Sequence, residues 1–178
     1  AVQLQGTVDT TVPGSQRKVT VQARANLTGA LGGQDALLVL KSQINPEPGA
    51  GLDKALQATL NADIHPWQVQ PLARLDAQWQ ALNLSAVWPQ APNTQLAGNA
   101  QVTPVSGGRQ AKLQLRNSAS GPWDQQRLPV QSLDADVEYS RGQWNLQSLG
   151  AVVAGGRVEA RGELAKSATG GSAAQGWQ

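Results

Sequence analysis

Apolar and polar residues alternate along most of this chain, and the alternating pattern recurs about ten times. A period of two is the signature of a half-buried β-strand, because successive side chains leave the backbone on opposite sides. The clearest stretch runs from Leu133 to Tyr139. Leu133, Ala135, Val137 and Tyr139 point one way, and Asp134, Asp136 and Glu138 the other. Ser140, Arg141 and Gly142 then read as a tight hairpin turn. The chain returns through Trp144 and Leu146 toward Val153, and Gly155-Gly156 breaks it again. The next strand, Arg157 to Leu164, sets Arg157, Glu159, Arg161 and Glu163 against Val158, Ala160, Gly162 and Leu164. A slip of one residue would bury four charges, so its register is strongly specified.

Similar runs lie upstream, over 2–12, 18–31, 36–44, 55–64, 72–82, 94–103 and 110–116. Clusters of Gly, Pro, Ser and Asn separate them, such as Pro13-Gly14-Ser15 and Ser106-Gly107-Gly108. Spacings of roughly 10–20 residues predict hairpins joined in a meander. Helix is scarce. The stretch 83–89 predicts one short turn, with Ser85 as its cap and Pro89 as its stop.

Length and composition refine this picture. The chain of 178 residues suffices for one domain with a sizeable core. Residues 1–165 read as a single β-domain, and 166–178 as a flexible tail rich in Gly, Ser and Ala. Phe, Cys and Met are absent, so bulk rests on Leu, Val and six tryptophans at 67, 79, 88, 123, 144 and 177. An interior built mainly from Ala, Leu and Val needs closely spaced sheets, or it stays partly unfilled. The net charge of +2 is spread without a basic patch, which removes the electrostatic footprint of nucleic-acid binding. The longest apolar run, Ala36 to Leu40, is far too short for a membrane span. With no initiator Met and a strand pattern from residue 2, the chain reads as a piece of something longer.

Candidate chemistry is sparse. His65, the only histidine, precedes Pro66 at a strand end and reads as structural. Asp134, Asp136 and Glu138 could suggest calcium, but an extended strand cannot wrap oxygens around an ion, so they read as a solvated face. Glycine-rich phosphate loops and nucleophile elbows are missing. The expectation is a protein that is not an enzyme, with no cofactor and no metal. Trp67, Trp88 and Trp123 sit beside prolines in loops. They either plug the ends of a core or edge a groove. Trp79 and Trp144 occupy inward strand positions, as core or as groove wall.

Several strands share wording. Gly155 to Leu164, Thr94 to Val102 and Val2 to Val8 each place apolar residues at every second position with a Gly or Ala inward. A stacked sheet that grows by adding hairpins would have this rhythm. The stretch Leu75 to Pro92, with Trp79, Trp88 and Pro89, followed by Thr94 to Val102, resembles the TamB family of Gram-negative bacteria. Gly121 to Val130 and the Tyr139 to Leu164 unit fit the same family. The likeness covers most of 1–165 and lies in diction and rhythm, since the family has no short diagnostic motif. Other proteins with AsmA-like repeats share much of it.

The resemblance implies a long curled antiparallel β-sheet, an open trough or β-taco with an apolar interior, in the periplasm. It implies an inner-membrane anchor outside this segment and an outer-membrane partner barrel of the Omp85 type, TamA-like or BamA-like. It further implies a part in outer-membrane protein assembly and in phospholipid movement between membranes. The cargo would be phospholipid acyl chains, nascent outer-membrane protein strands, or both. The lining of such a groove would be Leu56, Leu60, Ile64, Leu96, Val102, Leu113, Leu115, Leu133, Val137, Tyr139, Trp144, Leu146, Val158 and Leu164. The competing reading of the same residues is a closed, dry core in a structural β-module that docks a partner without internal cargo.

Overall fold

The computed structural model describes residues 2–11, 18–46, 56–88 and 90–165, with side chains described from residue 24 to residue 163, apart from those of 46–55, 87 and 89. The expected tail, 166–178, and Trp177 lie outside the described residues. Ten strands form one antiparallel sheet in chain order. They are β1 (Val2–Thr11), β2 (Lys18–Ala30), β3 (Leu37–Pro46), β4 (Gln57–Ile64), β5 (Leu72–Leu82), β6 (Leu96–Val105), β7 (Gly108–Asn117), β8 (Val130–Ser140), β9 (Gln143–Val153) and β10 (Gly156–Ala165). Each strand pairs with its sequence neighbours, as a meander requires. The sheet is not closed into a barrel: among the described residues β1 pairs only with β2, and β10 only with β9.

Two helical turns interrupt the strands. One is α1 (Leu84–Val87), between β5 and β6; the other is a 3-10 turn at Trp123–Gln125, between β7 and β8. The cap of α1 differs from the sequence expectation. Asn83, not Ser85, occupies the N-cap, and its side chain accepts a hydrogen bond from the Ser85 amide at 3.2 Å. Asn is as good a capping residue as Ser, and here its extended backbone, φ −101° and ψ 112°, fits the role.

The hairpin turns follow their chemistry. Arg141-Gly142 and Ala154-Gly155 are two-residue loops with positive φ at both positions, 51° and 81°, then 50° and 80°. That combination matches the right-handed twist of the flanking strands. The second turn begins one residue earlier than the glycine pair suggests, so Gly156 already belongs to β10.

The registers give the sheet two unlike faces. One row reads Ser42, Leu60, Ala77, Ala100, Leu113, Ala135, Leu149 and Ala160 across eight strands. The next reads Ile44, Ala58, Trp79, Gly98, Leu115, Leu133, Ala151 and Val158. On the opposite face a row reads Gln43, Thr59, Gln78, Asn99, Gln114, Asp134, Gly150 and Glu159. Cross-strand neighbours of like polarity are the unit that stabilises such a sheet.

Bulges keep these rows in phase. Where β10 advances from Ala160 to Gly162, β9 advances from Leu149 to Leu146. The extra β9 residue lets Leu146 and Leu149, three apart in sequence, share one face. A strict period of two would have sent Leu149 and Ala151 to the polar side. A similar irregularity in β5, between Leu72 and Arg74, keeps Leu72 and Leu75 together; another separates Trp79 from Leu82, where Ala81 takes φ 52°.

Little is buried. The buried apolar residues among those described are Ala36, Leu56, Ala62, Ala86 and Leu96. Every substantial contact between elements joins strands adjacent in the sheet. A closed domain buries its apolar faces between two packed layers. The described residues supply one layer.

Candidate functional site: an uncovered apolar face

Of the residues expected to line a groove, Leu60, Ile64, Val102, Leu113, Leu115, Leu133, Val137, Tyr139 and Leu146 lie half-buried on the same face. Trp144 and Val158 share that face and are each 51% exposed. Leu56 and Leu96 differ. Leu56 precedes β4, Leu96 opens β6, and both are buried, so they close strand ends rather than present an open surface. Leu164 pairs with Trp144 in the register, and its side chain lies outside the described residues. Leu75, Trp79 and Leu149 belong to the face as well. Sequence periodicity missed Leu149 because of the β9 bulge; the signal was the three-residue spacing between Leu146 and Leu149.

Trp79 is the widest floor element. Its ring lies against Gly98: a Cβ built there would come 2.8 Å from Trp79 Cζ2 and would also clash with the Gln114 carbonyl oxygen. Glycine is thus required at 98 by close approach, not by its dihedrals. Among the described residues the buried Trp79 Nε1–H has no hydrogen-bond partner. An unpaired donor of this kind costs about 1–3 kcal/mol. Near the other end of the face, Tyr139 and Trp144 stack in a tilted pair with ring centroids 4.7 Å apart.

One end of the sheet carries a polar knot. Asn117 ends β7 and is buried. Its Oδ1 accepts from the Gln95 and Ala119 amides at 3.1 and 3.2 Å. Its Nδ2 donates to the Leu128 and Val130 carbonyls at 3.3 and 3.1 Å. Thr94, also buried, accepts from the Leu84 amide and donates to the Leu82 carbonyl. The Asn93 amide donates to the Gln126 carbonyl at 2.7 Å. Together these bonds tie the β5–β6 and β7–β8 connections to each other, and Ala86 and Leu96 are buried in the same segments.

The loop tryptophans do not plug a core. Trp67, Trp88 and Trp123 are 61%, 60% and 66% exposed. Trp67 donates its Nε1–H to the Leu31 carbonyl at 3.0 Å, which joins the β4–β5 loop to the β2–β3 loop. Leu31, Leu37 and Val69 are exposed in the same two loops or at their margins. The Nδ1–H of His65 donates to the Ala36 carbonyl at 3.1 Å and joins the same two loops.

The acidic row on β8 is half-buried, and two of its three members are partnered, Glu138 accepting from Gln147 Nε2 at 3.4 Å. Asp136 receives both a Gln110 Nε2 bond, at 2.8 Å, and the Lys112 ammonium, at 3.7 Å. Arg74–Asp76 and Arg157–Glu159 are further exposed pairs, each a small contribution to stability. Among the described residues no group of three or more His, Cys, Asp or Glu could hold a metal ion, and no helix is long and apolar enough to cross a membrane. No family model matches the chain, and neither a curated protein nor a solved structure is similar to it at a significant level.

Proposed function

We propose that this chain is a segment of a periplasm-spanning β-trough that shields apolar cargo between two membranes in the service of outer-membrane assembly. The observation that carries the reading is the apolar face itself. A row of Leu and Ala runs unbroken from β4 to β10, the neighbouring row of Ile, Ala, Trp, Leu and Val is interrupted only by Gly98, and no second layer of the described chain covers them. Ten twisted strands of one sheet curl readily, and curling toward the apolar face would form the trough. Acyl chains laid along it would leave water at about 0.8 kcal/mol per methylene. The resemblance of the repeat wording to TamB-like proteins supports the periplasmic setting and an Omp85-type barrel as partner. The competing reading, a closed structural module, requires a second layer that the described residues do not provide.

Lipid is the cargo this surface suits best, because the contacts it offers are side-chain contacts on a broad face. A polypeptide strand would instead use the backbone groups of an open sheet edge. A photo-reactive amino acid placed at Leu113 or Leu133, in cells and in the purified chain, tests the choice. Crosslinks to phospholipid from these sites, and none from Gln114 on the polar face, are expected. Lipid crosslinks equal at Gln114 and Leu113 would contradict the reading.

A further inference from the structure

The two ends of the apolar face differ in polarity. At the end next to the short β6–β7 and β8–β9 turns, the registers set Pro104, Arg109, Tyr139 and Trp144 side by side across β6 to β9. Among the positions paired on this face from β3 to β10, Arg109 is the only charged one. Its guanidinium is held in place: Nη2–H donates to the Gln70 carbonyl at 2.6 Å. A guanidinium has five N–H donors in a planar fork, so four remain. Arg141, in the β8–β9 turn, adds a second cation at this lip, and its amide donates to the Gly107 carbonyl at 3.4 Å. Neither arginine has a carboxylate partner among the described residues.

Directly opposed residues in a ladder bring their Cβ atoms to about 4.5–5.5 Å, so Arg109 and Trp144 both flank Tyr139. The Tyr139 hydroxyl and the Trp144 Nε1–H have no hydrogen-bond partner among the described residues. An Arg, a Tyr and a Trp at the margin of an apolar surface suit lipid headgroups, because each has an apolar body and a polar tip. The opposite end of the face is closed by Leu96 and Asn117, both buried. From Arg109 to Asn117 the strand advances eight residues, about 26 Å. The tails of one leaflet fill about 15 Å, half of a hydrocarbon core of about 30 Å. Tails therefore fit along the strands, and only one end of the face offers their headgroup a cation. We infer that the Arg109–Tyr139–Trp144 row binds the phosphate of a phospholipid whose acyl chains lie on the face and point toward Asn117. This rests on the reading of the face as a lipid surface. The guanidinium takes two phosphate oxygens, and the Tyr139 hydroxyl and Trp144 Nε1–H donate to the remaining phosphate or ester oxygens. The three residues sit on inner strands, β7 to β9, so the site is the same whether or not the sheet continues past β10.

Competition between phosphatidylglycerol and a diacylglycerol with the same chains, read by native mass spectrometry of the purified chain, tests this. The unaltered chain should favour the phospholipid roughly tenfold. Arg109→Gln, which keeps a donor for the Gln70 carbonyl, should lose that preference and bind the diacylglycerol as before. Tyr139→Phe keeps the ring pair and should lower the preference about two- to threefold. Glycerol phosphate, which has the phosphate and no chains, should fail to compete. Orientation is read on the unaltered chain, which removes any dependence on how a variant folds. A phospholipid with a photo-reactive group in its headgroup should label the region of Arg141 and Trp144; one with the group at its chain ends should label the region of Leu115 and Leu133. Circular dichroism checks the fold of each variant. Equal binding of the two lipids, a preference that survives Arg109→Gln, effective competition by glycerol phosphate or the reverse labelling pattern would each overturn the inference and leave the lipid surface standing. Binding of neither lipid would remove the lipid surface itself, and the headgroup site with it.

Discussion

The polar knot at residues 82–95 and 117–130 and the apolar face of the strands solve opposite problems. In the knot, a buried asparagine fills all four of its hydrogen-bonding positions, and Thr94 is buried with both a donor and an acceptor partner. On the face, Leu60, Leu113 and Leu133 are half-buried, with no layer of the described residues above them. The same chain therefore achieves full satisfaction where two long connections meet and leaves apolar surface open along its strands. Openness is a property of the face and not of loose packing throughout. Hydrogen-bonded connections tie strand ends together, while the surface between them has no covering layer among the described residues.

The comparison makes predictions that differ in size. Asn117→Ala should be the most damaging, because it removes the acceptor of the Gln95 and Ala119 amides and a donor to the Leu128 and Val130 carbonyls at once, the Leu128 carbonyl keeping only the Gly121 amide; a loss of about 3 kcal/mol or more is expected in urea unfolding. Gly98→Ala should cost about 1–3 kcal/mol, because its Cβ drives into the Trp79 ring and the Gln114 carbonyl. Leu60→Asp should cost less than either, about 1 kcal/mol, since the new carboxylate keeps contact with water on a half-exposed face. In a closed core the same change would cost several kcal/mol. Trp79→Phe removes an unpaired buried donor while keeping most of the ring, and should be neutral or stabilising by up to about 1 kcal/mol. Smallest of all, Ala154→Asn relieves a positive-φ alanine in the β9–β10 turn and should raise the thermal midpoint by a degree or two, on the order of 0.5 kcal/mol.

Much of the sheet was legible in the sequence because alternation and turn chemistry are local. The run 72–82 coincides with β5, and the run 110–116 lies inside β7. Bulges were not legible, since a bulge is a relation between two strands. Nothing in Gln147 or Ser148 alone says that Leu149 returns to the apolar face. Asn117 was invisible for a similar reason: three of its four partners are 11–22 residues away, in connections whose path no periodicity describes. The loop tryptophans stayed between two readings because a Trp beside a proline carries no signal of whether its ring turns inward or to solvent; their exposure removes the first. Strand phase placed most of the expected residues on one face of the sheet, and Leu56 and Leu96 differ because they sit where strands end, under cover that the pattern cannot show.

Native mass spectrometry of the gently purified chain, paired with organic extraction of the same sample, tests the open-face account most directly. Bound phospholipid at a defined stoichiometry is expected, lost in Leu60→Asp and Val137→Asp while the β-sheet signal persists. A chain that is free of lipid as isolated and takes up none when it is added, or a Leu60→Asp variant that unfolds, would contradict it.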